Sequence, residues 1–171
     1  GRRIHVVCST TSQRILLENV ISGMAQALPQ GLASMLTYLD MGGCASVGDA
    51  GVTKLSEGLG NCLFLRHLNL SAVNLSEEGG EKLAVAIKGC SELVHVDLSG
   101  NSLRNEATAM LANALSRCEK LKFIAMRSNQ IGEKGAQALG MMLKKCKQIT
   151  HLDLSRNRLE SSGAVGLAAG V

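Results

Sequence analysis

The chain has 171 residues, of which 46% are hydrophobic and 19% charged, and its formal net charge is +4. No apolar run approaches the roughly 20 residues of a membrane span, the N-terminus is not a signal peptide, and no aromatic residues interleave with the basic ones as in nucleic-acid-binding surfaces. We therefore expect an intracellular, cytoplasmic protein that uses neither a membrane nor nucleic acid.

The first 35 residues follow the pattern of the later chain poorly. Ile4 and Val6 alternate as in a short strand, while Met24 and Leu28 are four residues apart, as on one face of a helix that ends near Pro29. We interpret residues 1–35 as a degenerate structural repeat whose strand and helix are joined by a long connection.

From residue 36 onward, apolar residues recur in a 28-residue register. Leu93, Val96 and Leu98 superpose on Leu65, Leu68 and Leu70 when the sequence is shifted by one period. Such a register indicates an internal repeat. We divide the rest of this single domain into repeats at 36–64, 65–92, 93–120, 121–148 and 149–171. The last repeat is incomplete, so we expect the chain to be part of a longer array.

Each repeat has the pattern of one strand, one turn and one helix. Apolar residues two apart at the start of the repeat predict a short strand, and apolar residues four apart, such as Leu111 and Leu115, predict a helix with one buried stripe. One such unit cannot bury enough apolar surface to fold alone. The units must therefore stack into an α/β solenoid, with a parallel sheet on the concave face and helices on the convex face.

The residue that follows each strand is predicted to hold the turn together. A buried Asn has donors and an acceptor for turn backbone that would otherwise be unpaired. Val73 breaks this series, and we expect a looser turn or a water molecule there. The residues in this structural position are Cys44, Asn101, Asn129 and Asn157.

The pattern L-x-x-L-x-L-x-x-N/C-x-L, followed by G-x-x-x-L-x-x-x-L-x-x-C, resembles the leucine-rich repeat, and in particular its long ribonuclease-inhibitor-like subtype. The resemblance covers about residues 36–171, with departures at Val73, at Ala107 in the Gly position, and at a one-residue insertion within 41–47. It implies the horseshoe form of the solenoid. Repeats of this kind serve many partners, so the fold alone does not give the function.

Four of the six cysteines, Cys62, Cys90, Cys118 and Cys146, share one position at the helix end. Neighbouring helices lie about 8–10 Å apart, farther than the roughly 4.4–6.8 Å between the Cα atoms of a disulfide. These cysteines are therefore expected to be buried free thiols in a reducing compartment, and their spacing argues against a zinc site.

Two strand positions alternate with the buried leucines and should face the concave side of the sheet. One position supplies mostly rings and the other mostly acids, and Arg127 lies just beyond a strand. The predicted concave-face residues are Tyr38, Asp40, His67, Asn69, His95, Asp97, Phe123, Arg127, His151 and Asp153.

Three interpretations of these residues remain open. His67, His95 and Asp97 could converge on a metal ion or act in acid-base chemistry, since strands are about 4.8 Å apart, but an open sheet offers no groups to orient such ligands. The motif L-x-H-L-D-L-S could instead be a common strand sequence of the repeat, with each His bonded to a nearby Asp. The third interpretation, compatible with the second, is a protein-binding surface.

Basic residues form two further groups near the end of the chain, at one helix end and beyond the strands. An ordinary solvated surface would explain them, and a second contact with an acidic protein surface is the functional alternative. The residues are Lys144, Lys145, Lys147, Arg156 and Arg158.

No phosphate-binding loop, nucleophile elbow or other catalytic motif is present in the sequence. We therefore predict a non-enzymatic protein-protein interaction module or scaffold, without a cofactor, metal or small-molecule substrate, which binds its partner through the concave face. The alternative is a GTPase-activating protein, because the Ran GTPase activators also resemble this repeat subtype. Loop residues such as Arg104 and Asn105 are of the type that such an activity would need, but we do not assign them this role.

Overall fold

The structure is a computed structural model that describes residues 2–5, 23 and 35–171. In this part of the chain, six parallel strands pair in sequence order to form one open sheet. Five helices connect successive strands from β2 onward or follow the last strand. The strands are β1 (Arg2–His5), β2 (Leu36–Asp40), β3 (His67–Asn69), β4 (His95–Asp97), β5 (Phe123–Ala125) and β6 (His151–Asp153); the helices are α1 (Gly48–Leu59), α2 (Glu77–Ala86), α3 (Arg104–Leu115), α4 (Glu133–Leu143) and α5 (Glu160–Ala168).

The core lies between the sheet and the helices, where the repeat register predicts it. Leu68 and Leu70 from one strand region and Leu83 and Leu111 from two helices are all fully buried. Each helix packs on its sequence neighbours and each strand pairs with the next. The prediction of an α/β solenoid with a parallel sheet on one side and helices on the other is therefore confirmed.

The degenerate N-terminal region contributes β1, which pairs in parallel with β2, and Ile4 lies opposite Leu39. Val6, Met24, Leu28 and Pro29 lie outside the described residues. No helix in the described ranges is long and apolar enough to cross a membrane.

The turn asparagines join each repeat to the one before it. Asn101 Oδ1 accepts hydrogen bonds from the backbone N–H of Val73 and Leu75 at 3.2 and 3.0 Å, and its Nδ2 donates to the carbonyls of Leu70 and Leu98 at 2.8 and 2.9 Å. A single buried side chain thus satisfies backbone groups of two repeats, which would be costly to leave unpaired. Asn157 makes the four corresponding contacts two repeats later. Asn129 makes two of them, accepting from the Leu103 backbone N–H and donating to the Leu98 carbonyl.

The turn at Val73 keeps the backbone hydrogen bonds of the other turns, contrary to the expectation of a looser turn. Gly48 donates to the Val73 carbonyl at 2.9 Å, and Ala72 donates to the Ser99 carbonyl at 2.7 Å, just as Gly100 donates to Arg127 at 2.8 Å. Val73 itself is fully buried. An apolar side chain replaces the Asn here because the backbone ladder continues through the turn without it.

A left-handed backbone recurs one residue before the turn position that holds Val73 or an asparagine. Ala72, Ser128 and Arg156 adopt φ values of 50°, 55° and 57°, and Gly100 adopts 70° at the same repeat position. Side chains with a Cβ atom are disfavoured in this region by roughly 1–2 kcal/mol. The stacked turns impose this conformation even where the sequence has no glycine.

The helix starts are capped by side chains from the preceding repeat. Asp49, in the first turn of α1, accepts from the backbone N–H and the hydroxyl of Ser76, the N-cap residue of α2. Asn105 of α3 likewise accepts from Gly132 and Gly135 at the start of α4, at 2.9 and 3.1 Å. An acidic or amide residue in the first helical turn therefore stabilises the next helix, where N–H groups lack partners.

The four cysteines at the helix ends are buried and free. Their thiols donate to backbone carbonyls, for example Cys90 to Leu59 at 3.2 Å and Cys118 to Cys90 at 3.4 Å. Burial raises the pKa of the Cys62 thiol to about 11, and it is the largest cause raising the pKa of Cys90 and Cys118 to about 12. Cys44 differs from them because it is disulfide-bonded.

Candidate functional site

The sheet brings the predicted concave-face residues into two rows that cross the strands. Register pairs His67 with His95 and His95 with Phe123, and the same registers pair Asn69 with Asp97 and Asp97 with Ala125. These side chains alternate with buried ones such as Leu68, so they lie on the face away from the helices. The structure therefore assembles all ten predicted residues along one surface, while their binding role stays a prediction.

The first row is a continuous stack of five rings, here called the ring ladder, made of Tyr38, His67, His95, Phe123 and His151. Successive ring centroids lie 4.1, 4.2, 4.0 and 4.4 Å apart, and neighbouring planes differ by 5° to 15°. The parallel register of the strands forces this spacing, because each strand places one ring at the same height. The first four rings are half-buried and His151 is exposed.

The second row, here called the acid row, consists of Asp40, Asn69, Asp97 and Asp153. Asp97 and Asp153 accept hydrogen bonds from the backbone N–H of Ser99 and Ser155, both at 2.9 Å. These bonds close the turn two residues beyond each acid. The expectation that each His bonds a nearby Asp is therefore wrong for these two acids in the described structure: their partners are serines, and the imidazoles stack on other rings.

At β2, the two rows are linked directly. Asp40 accepts from the Tyr38 hydroxyl at 3.2 Å and from the Gly42 backbone N–H at 3.0 Å. Asn69 accepts from both the backbone and the hydroxyl of Ser71, at 2.9 and 2.8 Å. The acid row is thus part of the strand-to-turn geometry as well as of the concave surface.

The surroundings of the two central imidazoles, His67 and His95, favour their neutral form. Burial is the main cause that lowers the pKa of His67 and His95, and the neighbouring His95 adds to the effect on His67. Asp40 and Asp97 oppose this shift in both residues. Ser155, through its side chain and backbone, is the main cause of a lowered Asp153 pKa. The concave face therefore favours neutral imidazoles at His67 and His95 and the ionised form of Asp153.

The metal interpretation of His67, His95 and Asp97 has no geometric support. Among the described residues, no group of three or more His, Cys, Asp or Glu side chains is arranged to hold a metal ion. Stacking directs the two imidazoles against each other, at 4.2 Å between centroids, instead of toward a shared point.

Two arginines that the sequence analysis did not single out flank one end of the ring ladder. Arg3 and Arg66 line a groove of about 440 Å³ together with Tyr38, His67 and His95. Arg3 also lies over the Tyr38 ring, with its guanidinium carbon 5.6 Å from the ring centroid. Arg66 directly precedes the ladder residue His67. A comparison of this position in successive repeats would have identified Arg66 from the sequence, because the position is basic in two of them (Thr37, Arg66, Val94, Lys122, Thr150).

The basic residues proposed as a second contact do not form one patch. Lys144, Lys145 and Lys147 are exposed between the end of α4 and the start of β6, while Arg156 and Arg158 are exposed between the end of β6 and the start of α5. The two groups therefore lie at opposite ends of strand β6.

The loop residues considered for GTPase activation have roles within the repeat array. Asn105 caps helix α4. A guanidinium nitrogen of Arg104 lies 4.0 Å from a carboxylate oxygen of Glu77, which itself accepts a hydrogen bond from the Glu106 backbone at 2.9 Å.

Comparisons with known proteins agree with this architecture. The family model described as Leucine Rich repeat matches residues 33–56, 117–140 and 145–168. A search of the curated proteins found no match.

Among solved structures, a tropomodulin C-terminal domain from structural genomics of Caenorhabditis elegans matches with a TM-score of 0.68 at 14% identity, covering 88% of this chain and 92% of that one. A structure of leiomodin-1 actin-binding site 2 matches with a TM-score of 0.67 at 13% identity, covering 88% and 89%. At these identities, the similarity establishes the fold.

Proposed function

Because the chain is a leucine-rich-repeat protein, we propose that it is a non-enzymatic interaction module that holds a partner protein on its concave face. The observation that carries this proposal is the ring ladder. Five stacked rings form a ridge about 17 Å long, which equals about three turns of an α-helix. Aromatic side chains of this kind supply large, rigid contact areas in protein interfaces.

The chemistry along the ladder suits a protein partner. The acid row runs beside the rings, and Arg127 lies exposed beyond β5. Charged groups at the edge of an aromatic contact area contribute specificity and orientation more than affinity. An elongated protein segment could contact the rings and both kinds of charge together.

Actin is the first partner to assay, because the solved leiomodin-1 domain with the same fold is described as an actin-binding site. This choice rests on similarity of fold alone, so the assay must include other cellular proteins. A cytoskeletal location in the cytoplasm would follow if actin binds.

The test is a comparison of baits. The intact chain and a Tyr38→Ala/His95→Ala/Phe123→Ala variant are immobilised, incubated with purified actin and, separately, with cell lysate, and the bound proteins are identified by mass spectrometry. We expect the triple variant to lose specific partners, because it removes three of five contact rings. Circular dichroism and thermal unfolding must show that the variant remains folded.

A second variant separates the concave face from the basic groups. The Lys144→Ala/Lys145→Ala/Lys147→Ala variant removes three exposed charges outside the sheet. We expect it to retain the concave-face partner. Equal recovery of partners by the wild type and the folded triple ring variant would overturn the concave-face proposal, and loss with the lysine variant would direct attention to the helix end.

A further inference from the structure

We propose that the groove between Arg3 and Arg66 binds an acidic peptide segment of the partner protein, whose carboxylates pair with the two guanidinium groups above the ring ladder. The inference rests on the proposed function and specifies the chemistry of the partner at one end of the concave face. It follows from three features of the groove: the orientation of its rings, its two arginines, and a lining without acidic residues.

The rings of the groove present their edges to a ligand. Tyr38, His67 and His95 are stacked with centroids 4.1 and 4.2 Å apart, and Phe123 covers the far face of His95 at 4.0 Å. The edge of an aromatic ring is positive and an imidazole N–H donates hydrogen bonds, so these C–H and N–H edges favour electron-rich groups such as carboxylates. The stacking also leaves no gap for a nucleobase or another ring to intercalate.

The two arginines add positive charge on the same side. In the described part of the chain, neither Arg3 nor Arg66 forms an ion pair, and both are exposed. Arg3 lies in β1 and Arg66 directly precedes β3, and β2 lies between these two strands, so their backbones are about 10 Å apart. Guanidinium groups bind carboxylates through paired, charge-assisted hydrogen bonds.

None of the residues lining the groove is acidic. Asp40 and Asp97 follow the ring positions along their strands, where Asp40 accepts from Tyr38 and Gly42, and Asp97 accepts from Ser99. These carboxylates would repel an acidic peptide from the far side of the ladder and direct it toward the arginines. The groove thus presents two cations without an acid in its lining.

Hexaglutamate labelled with fluorescein is a suitable probe, titrated with the full 171-residue chain and followed by fluorescence anisotropy at low salt. A hexaglutamine peptide with the same label is the control for contacts that do not depend on charge. We expect saturable binding of hexaglutamate, and at least tenfold weaker binding of hexaglutamine. Equal affinity for the two peptides, or no saturable binding of hexaglutamate, would overturn the inference.

Lys122 provides a matched control within the chain. It occupies the same repeat position as Arg66, is also exposed, and lies outside the groove. We expect Arg66→Ala to weaken hexaglutamate binding about fivefold, as for loss of one exposed charge pair, and Lys122→Ala to change it less than twofold. Equal weakening by both substitutions would show non-specific attraction to net positive charge and would contradict a defined groove.

An Arg3→Ala variant tests the other wall of the groove, and Arg3→Lys tests whether guanidinium geometry is required. We expect both to weaken hexaglutamate binding, with the larger loss for alanine. If Arg3→Ala and Arg66→Ala bind the probe like the wild type, the inference fails. The proposed function would still stand if the triple ring variant loses its protein partner, so the two failures are distinguishable.

Discussion

The turn asparagines and the rings of the ring ladder both recur along the repeats, yet they differ in burial and in hydrogen bonding. Asn101 is 6% exposed and its amide is bonded to backbone groups of two repeats. His95 is half-buried, and stacking on its neighbours leaves its edge accessible. The comparison indicates that a periodic residue can stabilise the array or remain available for a partner, and that burial and hydrogen bonding distinguish the two roles.

The largest effect on stability is expected from the removal of a turn asparagine. Asn101→Ala would leave two backbone N–H groups and two carbonyls without their side-chain partner, and should lower the free energy of unfolding by about 3 kcal/mol. Asn157→Ala is the matched control, because Asn157 is only half-buried and water can replace its bonds; we expect a loss of about 1 kcal/mol. Urea unfolding measures both, and equal losses would contradict the role of burial.

The caps between repeats should have a smaller effect. Asp49→Ala removes the acceptor for the Ser76 backbone and hydroxyl, and should cost about 1 kcal/mol. Asp49→Asn keeps one oxygen acceptor and should retain much of the stability. If urea unfolding gives the same free energy of unfolding for Asp49→Ala and the wild type, the cap contributes nothing to stability.

The left-handed turn position offers a substitution that should stabilise the chain. Ala72→Gly removes a Cβ from a backbone with φ of 50°, and we expect a gain of about 0.5 kcal/mol, less than the full relief of strain because glycine also increases the entropy of the unfolded chain. Gly100→Ala, at the same repeat position, should destabilise the chain. Thermal unfolding that shifts both variants in the same direction would contradict this expectation.

The ring ladder should matter less for stability than for binding. His95→Ala interrupts two stacked contacts, and we expect it to lower the free energy of unfolding by about 0.5 kcal/mol. The same variant should weaken partner binding, which calorimetry with an identified partner can measure. A loss of stability comparable to that of Asn101→Ala would place the ladder among the structural elements.

The smallest effect concerns pH. Burial lowers the pKa of His67 and His95 in the folded chain, so the folded state binds fewer protons than the unfolded state when the pH falls below about 6.5. Stability should therefore be fully present above this pH and decrease as the pH falls through the lowered pKa values. A His67→Gln/His95→Gln variant should flatten this part of the stability profile. If the double variant has the same dependence of stability on pH as the wild type, other groups cause that dependence.

The repeat spacing by itself determined which residues share a row. Leu68, Val96 and Ile124 had to be buried, and His67, His95 and Phe123 had to lie side by side, because a strand alternates its faces and stacked repeats keep a common register. The position of Asn101 after the strand was likewise enough to predict a role in the turn. These predictions needed only local periodicity.

Only the tertiary structure decided how the rows interact across repeats. The cap from Asp49 to Ser76, the left-handed conformation of Ala72 and the stacking of imidazole on imidazole join residues or conformations that no local pattern specifies. The groove between Arg3 and Arg66 also depends on β1 pairing beside β2. Distances and ring orientations of this kind arise from packing between repeats, whereas periodicity in the sequence specifies a face without fixing what the residues on it contact.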